Sequence, residues 1–169
     1  MLRIEPLSRR HNRKNFDCGI GPLNDYLMKT AIQHIEKGIS RTFVLTDSGA
    51  PATIIGFFSL AGCEVVTSGL PAGYAKKYPA KAPAARLARL AVSIHRQREG
   101  FGTIMMAESI KRSLSVADSI GIIGIFVDAK NAGARAYYEQ FGFIPLREDP
   151  LELFLPLKTL RAAMEESDT

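Results

Sequence analysis

The 169-residue sequence has only two cysteines, Cys18 and Cys63, and no tryptophan. Two cysteines cannot build a disulfide framework, and no spacing of Cys and His residues matches a metal site. The longest apolar run, residues 53–63, is about half as long as a bilayer crossing requires. No apolar segment follows the basic residues near the N-terminus, so a secretory signal is not expected. These absences predict a protein of the reducing cytoplasm, without a metal site or a membrane span.

Carboxylates are also missing from a long central segment, since residues 65–98 contain no Asp or Glu. The whole chain has a net charge of +5, with 22 Lys and Arg against 17 Asp and Glu. The basic residues concentrate in two groups: Lys76, Lys77, Lys81, Arg86, Arg89, Arg96 and Arg98, and Arg3, Arg9, Arg10, Arg13 and Lys14. Such stretches create a positive field that attracts nucleic acids or phosphate-bearing cofactors. An ordinary solvated basic face is the alternative.

The composition is that of a folded globular chain, with 46% hydrophobic and 23% charged residues. The length predicts one domain over residues 1–169. Periodicity and turn signals predict strands over 2–7, 41–46, 53–66, 86–94, 122–127, 143–146 and 151–155. Helices are predicted from Leu23 to near Gly38, over the segment with Met106 and Ile110, from the N-cap Asn131 to Gly142, and at the C-terminus. Residues 67–83 read as an irregular surface connection, and the whole predicts a mixed sheet flanked by helices, in the α/β or α+β class.

The most informative segment leads from the strand over residues 86–94 through Gln97-Arg98-Glu99-Gly100-Phe101-Gly102 into a helix. Glycines remove side chains where a ligand approaches the backbone. The unpaired N–H groups and the positive dipole end of the helix suit a pyrophosphate. A glycine pair alone is a weak signal, and a structural turn is the alternative. The sequence has neither GxGxxG nor GK[ST].

The segment QREGFG, residues 97–102, resembles the Q/R-x-x-G-x-G/A acetyl-CoA motif of the GNAT family of N-acetyltransferases. NAGARAYYEQFGF, residues 131–143, resembles the N-x-x-A-x-x-[FY]-Y-x-x-x-G-F segment of the same family. The resemblance implies an acetyl-CoA-dependent N-acetyltransferase with the GNAT fold, in which a splayed strand pair holds the cofactor. It implies that acetyl-CoA is bound by Leu90, Ala91, Val92, Gln97, Arg98, Glu99, Gly100, Phe101, Gly102, Thr103 and Asn131.

Tyr138 matches the second aromatic residue of the downstream segment, which implies that it is the catalytic acid. Attack on the acetyl thioester expels a thiolate whose parent thiol has a pKa near 8.5, and a phenol with a pKa of about 10 can protonate it. In the alternative, Tyr137 and Tyr138 are both core aromatics. Adjacent helical residues point about 100° apart, so at most one of the two is expected to be fully buried.

The N-terminal half resembles a narrower branch, the GNAT toxins of bacterial toxin and antitoxin pairs. FDCGIGPLNDYL, residues 16–27, matches its F-x-C-G-x-x-x-L-N-x-[FY]-L signature, and IIGFFSLA and YPAKAPAARLARLAV match two further segments. The branch implies acetylation of the α-amino group of aminoacyl-tRNA, which blocks translation. It also implies a homodimer and a cognate ribbon-helix-helix antitoxin. The chain departs from the branch at Ala88 and Ser93, where Gly and Asp are common, which leaves the substrate preference open.

The charge pattern agrees with an RNA substrate, whose phosphates we expect to contact Arg9, Arg10, Lys76, Lys77, Arg86 and Arg89. An α-amino group has a pKa of about 7.7 to 8.0, so it needs a weaker base than a lysine amine with a pKa of about 10.4. Glu64 or a water molecule is the candidate base, and an exposed strand-end residue is the alternative for Glu64. Two other functions remain open: acetylation of a small amine or a protein N-terminus, and a catalytically silent binding module.

Overall fold

The computed structural model describes residues 1–167, which form seven β-strands and five α-helices. The strands are β1 (Leu2–Pro6), β2 (Arg41–Asp47), β3 (Gly56–Val66), β4 (Lys81–Val92), β5 (Gly124–Asp128), β6 (Ile144–Pro145) and β7 (Glu152–Pro156). The helices are α1 (Gly21–Asp25), α2 (Ala31–Glu36), α3 (Phe101–Ala117), α4 (Ala132–Glu139) and α5 (Leu157–Ser167). None of these helices is long and apolar enough to span a membrane.

The strands form a mixed sheet in the order β1-β2-β3-β4-β5-β7-β6. Strands β4 and β5 are parallel, whereas the pairs β1–β2, β2–β3, β5–β7 and β6–β7 are antiparallel. The predicted mixed sheet with flanking helices is therefore confirmed. The parallel pairing consists of Ala85 with Ile125 and Arg86 with Phe126, and β4 continues to Val92. The chain forms two compact units, Met1–Ala61 with Leu87–Ser109, and Gly62–Arg86 with the residues from Ile110 onward.

The first unit packs the N-terminal helices on the antiparallel strands. Its apolar core consists of Leu7, Phe16, Cys18, Tyr26, Leu27, Ala31, Ile32, Val44, Ile54, Phe57 and Ala91. The helix predicted from Leu23 is present, but a π-helical turn over Tyr26–Thr30 separates α1 from α2. Because a π turn bonds residues i and i+5, the buried pair Tyr26 and Leu27 is followed five residues later by Ala31 and Ile32. Gly38, with φ +73°, follows the helix end where a stop was predicted.

The second unit has a core of Val65, Leu70, Ala84, Phe126 and Phe154. The prediction of an irregular surface connection over residues 67–83 is wrong in two respects. Leu70 is only 1% exposed, and the Tyr74 ring lies 5.8 Å from that of Phe154. The connection also contains two short 3-10 turns, and strand β4 begins at Lys81, earlier than predicted. The basic residues and prolines of this segment predict exposure, so the packing of its apolar residues against the core was not expected from the sequence.

Candidate active site

The loop between β4 and α3, predicted to bind pyrophosphate, has an unusual backbone. Arg98 has φ +66° and Gly100 has φ +84°, and α3 begins directly afterwards at Phe101. A Cβ at Gly100 would meet no atom within 4 Å, so this glycine is required by its left-handed backbone and not by crowding. Gln97, Arg98, Glu99, Gly100 and Thr103 are exposed, Gly102 is half-buried and Phe101 is buried. The loop and the first turn of α3 are thus accessible to an anion.

Side chains of the loop fix its shape. Gln97 donates hydrogen bonds from Nε2 to the carbonyl oxygens of Val92, at 3.1 Å, and Cys18, at 3.2 Å. Arg96 donates from Nε to Glu99 over 3.1 Å, and its guanidinium lies 4.9 Å from the centre of the Phe101 ring. The Gln97 side chain therefore connects the predicted cofactor loop to the end of β4 and to the FDCGIGPLNDYL segment.

The predicted pantetheine-binding residues Leu90, Ala91 and Val92 are the last three residues of β4. Ala91 is buried, and Leu90 and Val92 are half-buried. The Ala91 carbonyl oxygen lies 2.8 Å from the position that a Cβ on Gly56 would occupy. This close approach explains the glycine of the IIGFFSLA segment, because a side chain there would displace the end of β4.

A cavity of about 280 Å³ lies beside the segment that connects β4 to α3, and the sequence did not predict it. Its polar lining comes from Asn12, Asn15, Thr53, Ser93, His95 and Arg96, and Phe16, Ile54 and Ile55 complete it. These residues belong to three separate segments of the chain, so no local motif could reveal their proximity. Amide, hydroxyl and cationic groups suit a small polar molecule.

Tyr138, the predicted catalytic acid, lies on α4 in the second unit and is half-buried. Its ring centre is 5.5 Å from that of Tyr137 and 5.7 Å from that of Phe143. Burial, with smaller contributions from Tyr137 and the Asp128 carboxylate, raises the pKa of Tyr138 to about 12. This phenol is therefore protonated at neutral pH, and it is a weaker acid than the ordinary tyrosine assumed from the sequence.

Asn131, predicted both as an N-cap and as a cofactor contact, begins α4. Its Oδ1 accepts a hydrogen bond of 2.9 Å from the Ala134 amide, so the predicted cap is confirmed. The side chain is exposed, which leaves its amide group accessible. The predicted contact with the cofactor remains a prediction.

Arg86, predicted to contact RNA, is occupied by two carboxylates. It donates from Nη1 to Asp128 over 2.9 Å and from Nη2 to Glu152 over 3.2 Å. Asp128 and Glu152 are direct cross-strand neighbours on β5 and β7, 42 and 66 residues away from Arg86 in the chain. The pKa of the nearby Cys63 thiol is raised by burial, and the positive charge of Arg86 offsets only part of this rise. These contacts give Arg86 a structural role that its position in a basic segment did not indicate.

The other predicted RNA contacts lie on the surface. Arg9 pairs with Glu36 and Arg10 with Glu5, each at 2.8 Å, and both arginines are highly exposed. Exposed pairs contribute little to stability, so phosphates can compete for them. Lys76 and Lys77 occupy a 3-10 turn, with the Lys77 ammonium 5.3 Å from the Tyr74 ring centre.

Arg89 differs from these residues, because its guanidinium carbon lies 3.7 Å from the centre of the Tyr26 ring.

Glu64, the candidate base, is exposed and lies 3.9 Å from the Lys81 ammonium, as expected for an exposed strand residue. Within residues 1–167, no group of three or more His, Cys, Asp or Glu residues is arranged to hold a metal ion.

Comparison with known proteins gives consistent matches over most of the chain. Residues 12–143 match the acetyltransferase (GNAT) family. The chain is 36% identical to the tRNA-acetylating toxin of Mycobacterium tuberculosis over 148 residues, which cover 88% of this chain and 87% of that protein.

Two solved structures extend the match. AtaT complexed with acetyl-methionyl-tRNAfMet has a TM-score of 0.89 at 30% identity, covering 97% of this chain and 99% of that chain. An AtaT mutant toxin bound to the C-terminus of the antitoxin AtaR and acetyl-CoA has a TM-score of 0.81 at 28% identity, covering 96% and 98%.

Proposed function

Because this chain belongs to the acetyltransferase (GNAT) family, we propose that it transfers the acetyl group of acetyl-CoA to the α-amino group of aminoacyl-tRNA and so blocks translation. The observation that carries this proposal is the similarity to the tRNA-acetylating toxin along nearly the whole length of both chains. The fold of AtaT, solved with an acetylated aminoacyl-tRNA, supports the same substrate. The acid-free segment over residues 65–98 supplies the positive charge that such a substrate requires.

The residues at the start of α3 fit the diphosphate of acetyl-CoA. The backbone is left-handed at Arg98 and Gly100, the loop is exposed, and a helix of 17 residues follows it. We propose that the amides over residues 98–103 bind the diphosphate and that the main chain of Leu90 and Ala91 binds the pantetheine arm. Acetyl-CoA supplies an activated acetyl thioester when bound. The Val92 carbonyl accepts a hydrogen bond from Gln97 and has a second lone pair, so we keep Val92 among the proposed pantetheine contacts.

In this proposal Tyr138 holds a proton at Oη and donates it to the departing sulfur. With a pKa of about 12, the phenol donates only weakly by itself, since the thiol has a pKa near 8.5. We therefore propose that the proton lost by the attacking amine passes through water to Tyr138 Oη while the phenol proton moves to the sulfur, so that the phenol ends the reaction protonated. Tyr138→Phe should lower kcat by about 10² to 10⁴-fold, the range for general acid catalysis, with little change in acetyl-CoA binding. A fully toxic Phe variant would instead support a catalytically silent binding module.

The acceptor amine needs only modest help to lose its proton. An α-amino group with a pKa of about 7.7 to 8.0 is partly neutral at pH 7. Glu64 is exposed and close to Lys81, so we favour a water molecule as the proton acceptor. The proposal places the protein in the cytoplasm, where aminoacyl-tRNA is found. It also includes a homodimer and a ribbon-helix-helix antitoxin. An antitoxin partner is supported by the similar AtaT toxin, which was solved bound to the C-terminus of the antitoxin AtaR.

The decisive experiment compares acceptors with the purified protein and radiolabelled acetyl-CoA. Charged tRNA should be acetylated at the aminoacyl group, whereas spermidine and peptides with free N-termini should react far more slowly. Deacylated tRNA is the matched control, because it has the same phosphates and no α-amino group. Preferred acetylation of the polyamine or the peptides would favour the alternative, a GNAT enzyme for small amines or protein N-termini.

A further inference from the structure

The cation–π contact between Arg89 and Tyr26 joins two motifs whose connection the sequence did not show. Tyr26 belongs to the FDCGIGPLNDYL segment, and Arg89 lies on β4 in the first unit. The guanidinium carbon is 3.7 Å from the ring centre, the distance of direct stacking on the ring face. Tyr26 occupies the aromatic position of that segment and has no part in the proposed chemistry, so the contact with Arg89 suggests a role for its ring.

The Tyr26 ring is held firmly. It is only 5% exposed, and its hydroxyl makes a 3.1 Å hydrogen bond with Ser40 Oγ. The His34 ring packs edge-on at 5.6 Å between centres, and Phe57 lies nearly parallel at 6.5 Å. A ring fixed on several sides is a rigid platform for the cation stacked on it.

The N–H groups of Arg89 remain available. Within the part of the chain that the structure describes, no hydrogen bond or ion pair engages its guanidinium, whereas Arg9, Arg10 and Arg86 each pair with a carboxylate. A guanidinium that contacts a ring through its face keeps its in-plane fork of five donors free, and Arg89 is half-buried, so it keeps some access to solvent. Arg89 also lies in the segment without Asp or Glu, so no sequence neighbour in that segment competes for the fork.

We infer that Tyr26 is a positioning residue that fixes the Arg89 guanidinium for a two-point contact with a phosphate group of the RNA substrate. The inference rests on the proposed function, since it assigns a recognition device to its RNA acceptor. The planar fork of Arg matches two phosphate oxygens, which the single ammonium of Lys cannot reproduce. The stack holds the fork in one orientation before the RNA arrives.

The test is a double-mutant cycle of RNA binding, measured by fluorescence anisotropy with deacylated tRNA over a range of salt concentrations. Arg89→Gln should raise Kd on the order of tenfold and reduce the salt slope by about 0.7 to 0.9, the loss of one phosphate contact. Tyr26→Leu should raise Kd and reduce the salt slope to a similar extent, because Arg89 keeps its charge but its guanidinium is no longer held in one orientation. The double variant should bind no more weakly than Arg89→Gln, because both changes remove one contact. Tyr26→Phe, which keeps the ring, should rescue the affinity lost in Tyr26→Leu.

The controls separate this role from general damage. Arg161→Gln removes one charge from an exposed pair with Asp118 and should leave Kd and slope unchanged. If Tyr26→Leu does not fold, Arg89→Lys decides, because it keeps the charge without the fork and should raise Kd several-fold. Multiplying effects in the double variant, or wild-type affinity in Arg89→Lys, would overturn the inference. Failure of the wild-type protein to acetylate charged tRNA would overturn the proposed function. That acetylation assay is independent of the binding cycle, so the two failures can be told apart.

Discussion

Arg86 donates a hydrogen bond of 2.9 Å to Asp128, and the two residues come from neighbouring parallel strands. Glu152, the cross-strand partner of Asp128, accepts a second bond from the same guanidinium. The arginine thus holds two adjacent carboxylates that would otherwise repel one another. The Asp128 carboxylate also acts on Tyr138, because its negative charge contributes to the raised pKa of that phenol.

Replacing Arg86 by Gln should therefore affect stability more than RNA binding. Two carboxylates would lose a charged donor, and hydrogen bonds to charged groups contribute about 1.5 to 3 kcal/mol each. Because the Asp128 side chain is 68% exposed and solvent screens its pair with Arg86, we expect the free energy of unfolding in urea to fall by only about 1 to 3 kcal/mol. The matched control is Arg161→Gln at an exposed pair, which should change it by less than about 0.5 kcal/mol. A loss of RNA affinity larger than that of Arg89→Gln would instead favour a direct RNA contact by Arg86.

The pH dependence of kcat/KM should follow the acceptor amine and not the phenol. Because the pKa of Tyr138 is raised, its protonated, active form persists to higher pH, and its loss is displaced to about pH 12. We expect log kcat/KM on charged tRNA to rise until about pH 8, as the amine loses its proton. It should then stay flat to about pH 10, in short reactions that limit ester hydrolysis. A falling limb centred near pH 9 would show that the Tyr138 phenol ionises too early for this role.

The sequence predicted the parts of the molecule that depend on near neighbours. The Asn131 cap, the Gly38 stop and the glycine loop before α3 all depend on residues within a few positions, and the structure contains each of them. The π turn over Tyr26–Thr30 was missed, because apolar positions three and four residues apart fit an α-helix equally well.

Long-range contacts were out of reach of the sequence. The partners of Arg86 and the stack of Arg89 on Tyr26 join residues far apart in the chain, so no spacing rule indicates them. Leu70 is a core residue and the partly buried Tyr74 packs against the core, although both lie in a segment rich in Lys, Pro and Gly, whose composition predicts exposure. Basic residues could therefore be grouped by charge, but not sorted into those already paired and those available to a ligand.

Gly100→Ala tests the backbone of the predicted diphosphate loop. A side chain at φ +84° is strained, although the space around it is open. We therefore expect Gly100→Ala to lower the free energy of unfolding by about 1 to 2 kcal/mol. The affinity for acetyl-CoA, measured by titration calorimetry, should fall several-fold. Gly121→Ala is the matched control, because its surroundings are equally open and its φ is not in the left-handed region. Unchanged acetyl-CoA affinity in Gly100→Ala would argue against a diphosphate site in this loop.

Asn131 has two possible roles that a pair of substitutions can separate. Its Oδ1 caps α4 through the Ala134 amide, and the family resemblance places its side chain near the pantetheine arm. Ser is as good an N-cap as Asn and carries no charge, whereas Ala cannot cap, which costs about 1 kcal/mol. We expect Asn131→Ser to keep the wild-type free energy of unfolding and Asn131→Ala to lower it. Both variants should bind acetyl-CoA several-fold more weakly, because both lack the amide group. Should Asn131→Ser bind acetyl-CoA as the wild type does, the role of Asn131 is restricted to starting the helix that carries Tyr138.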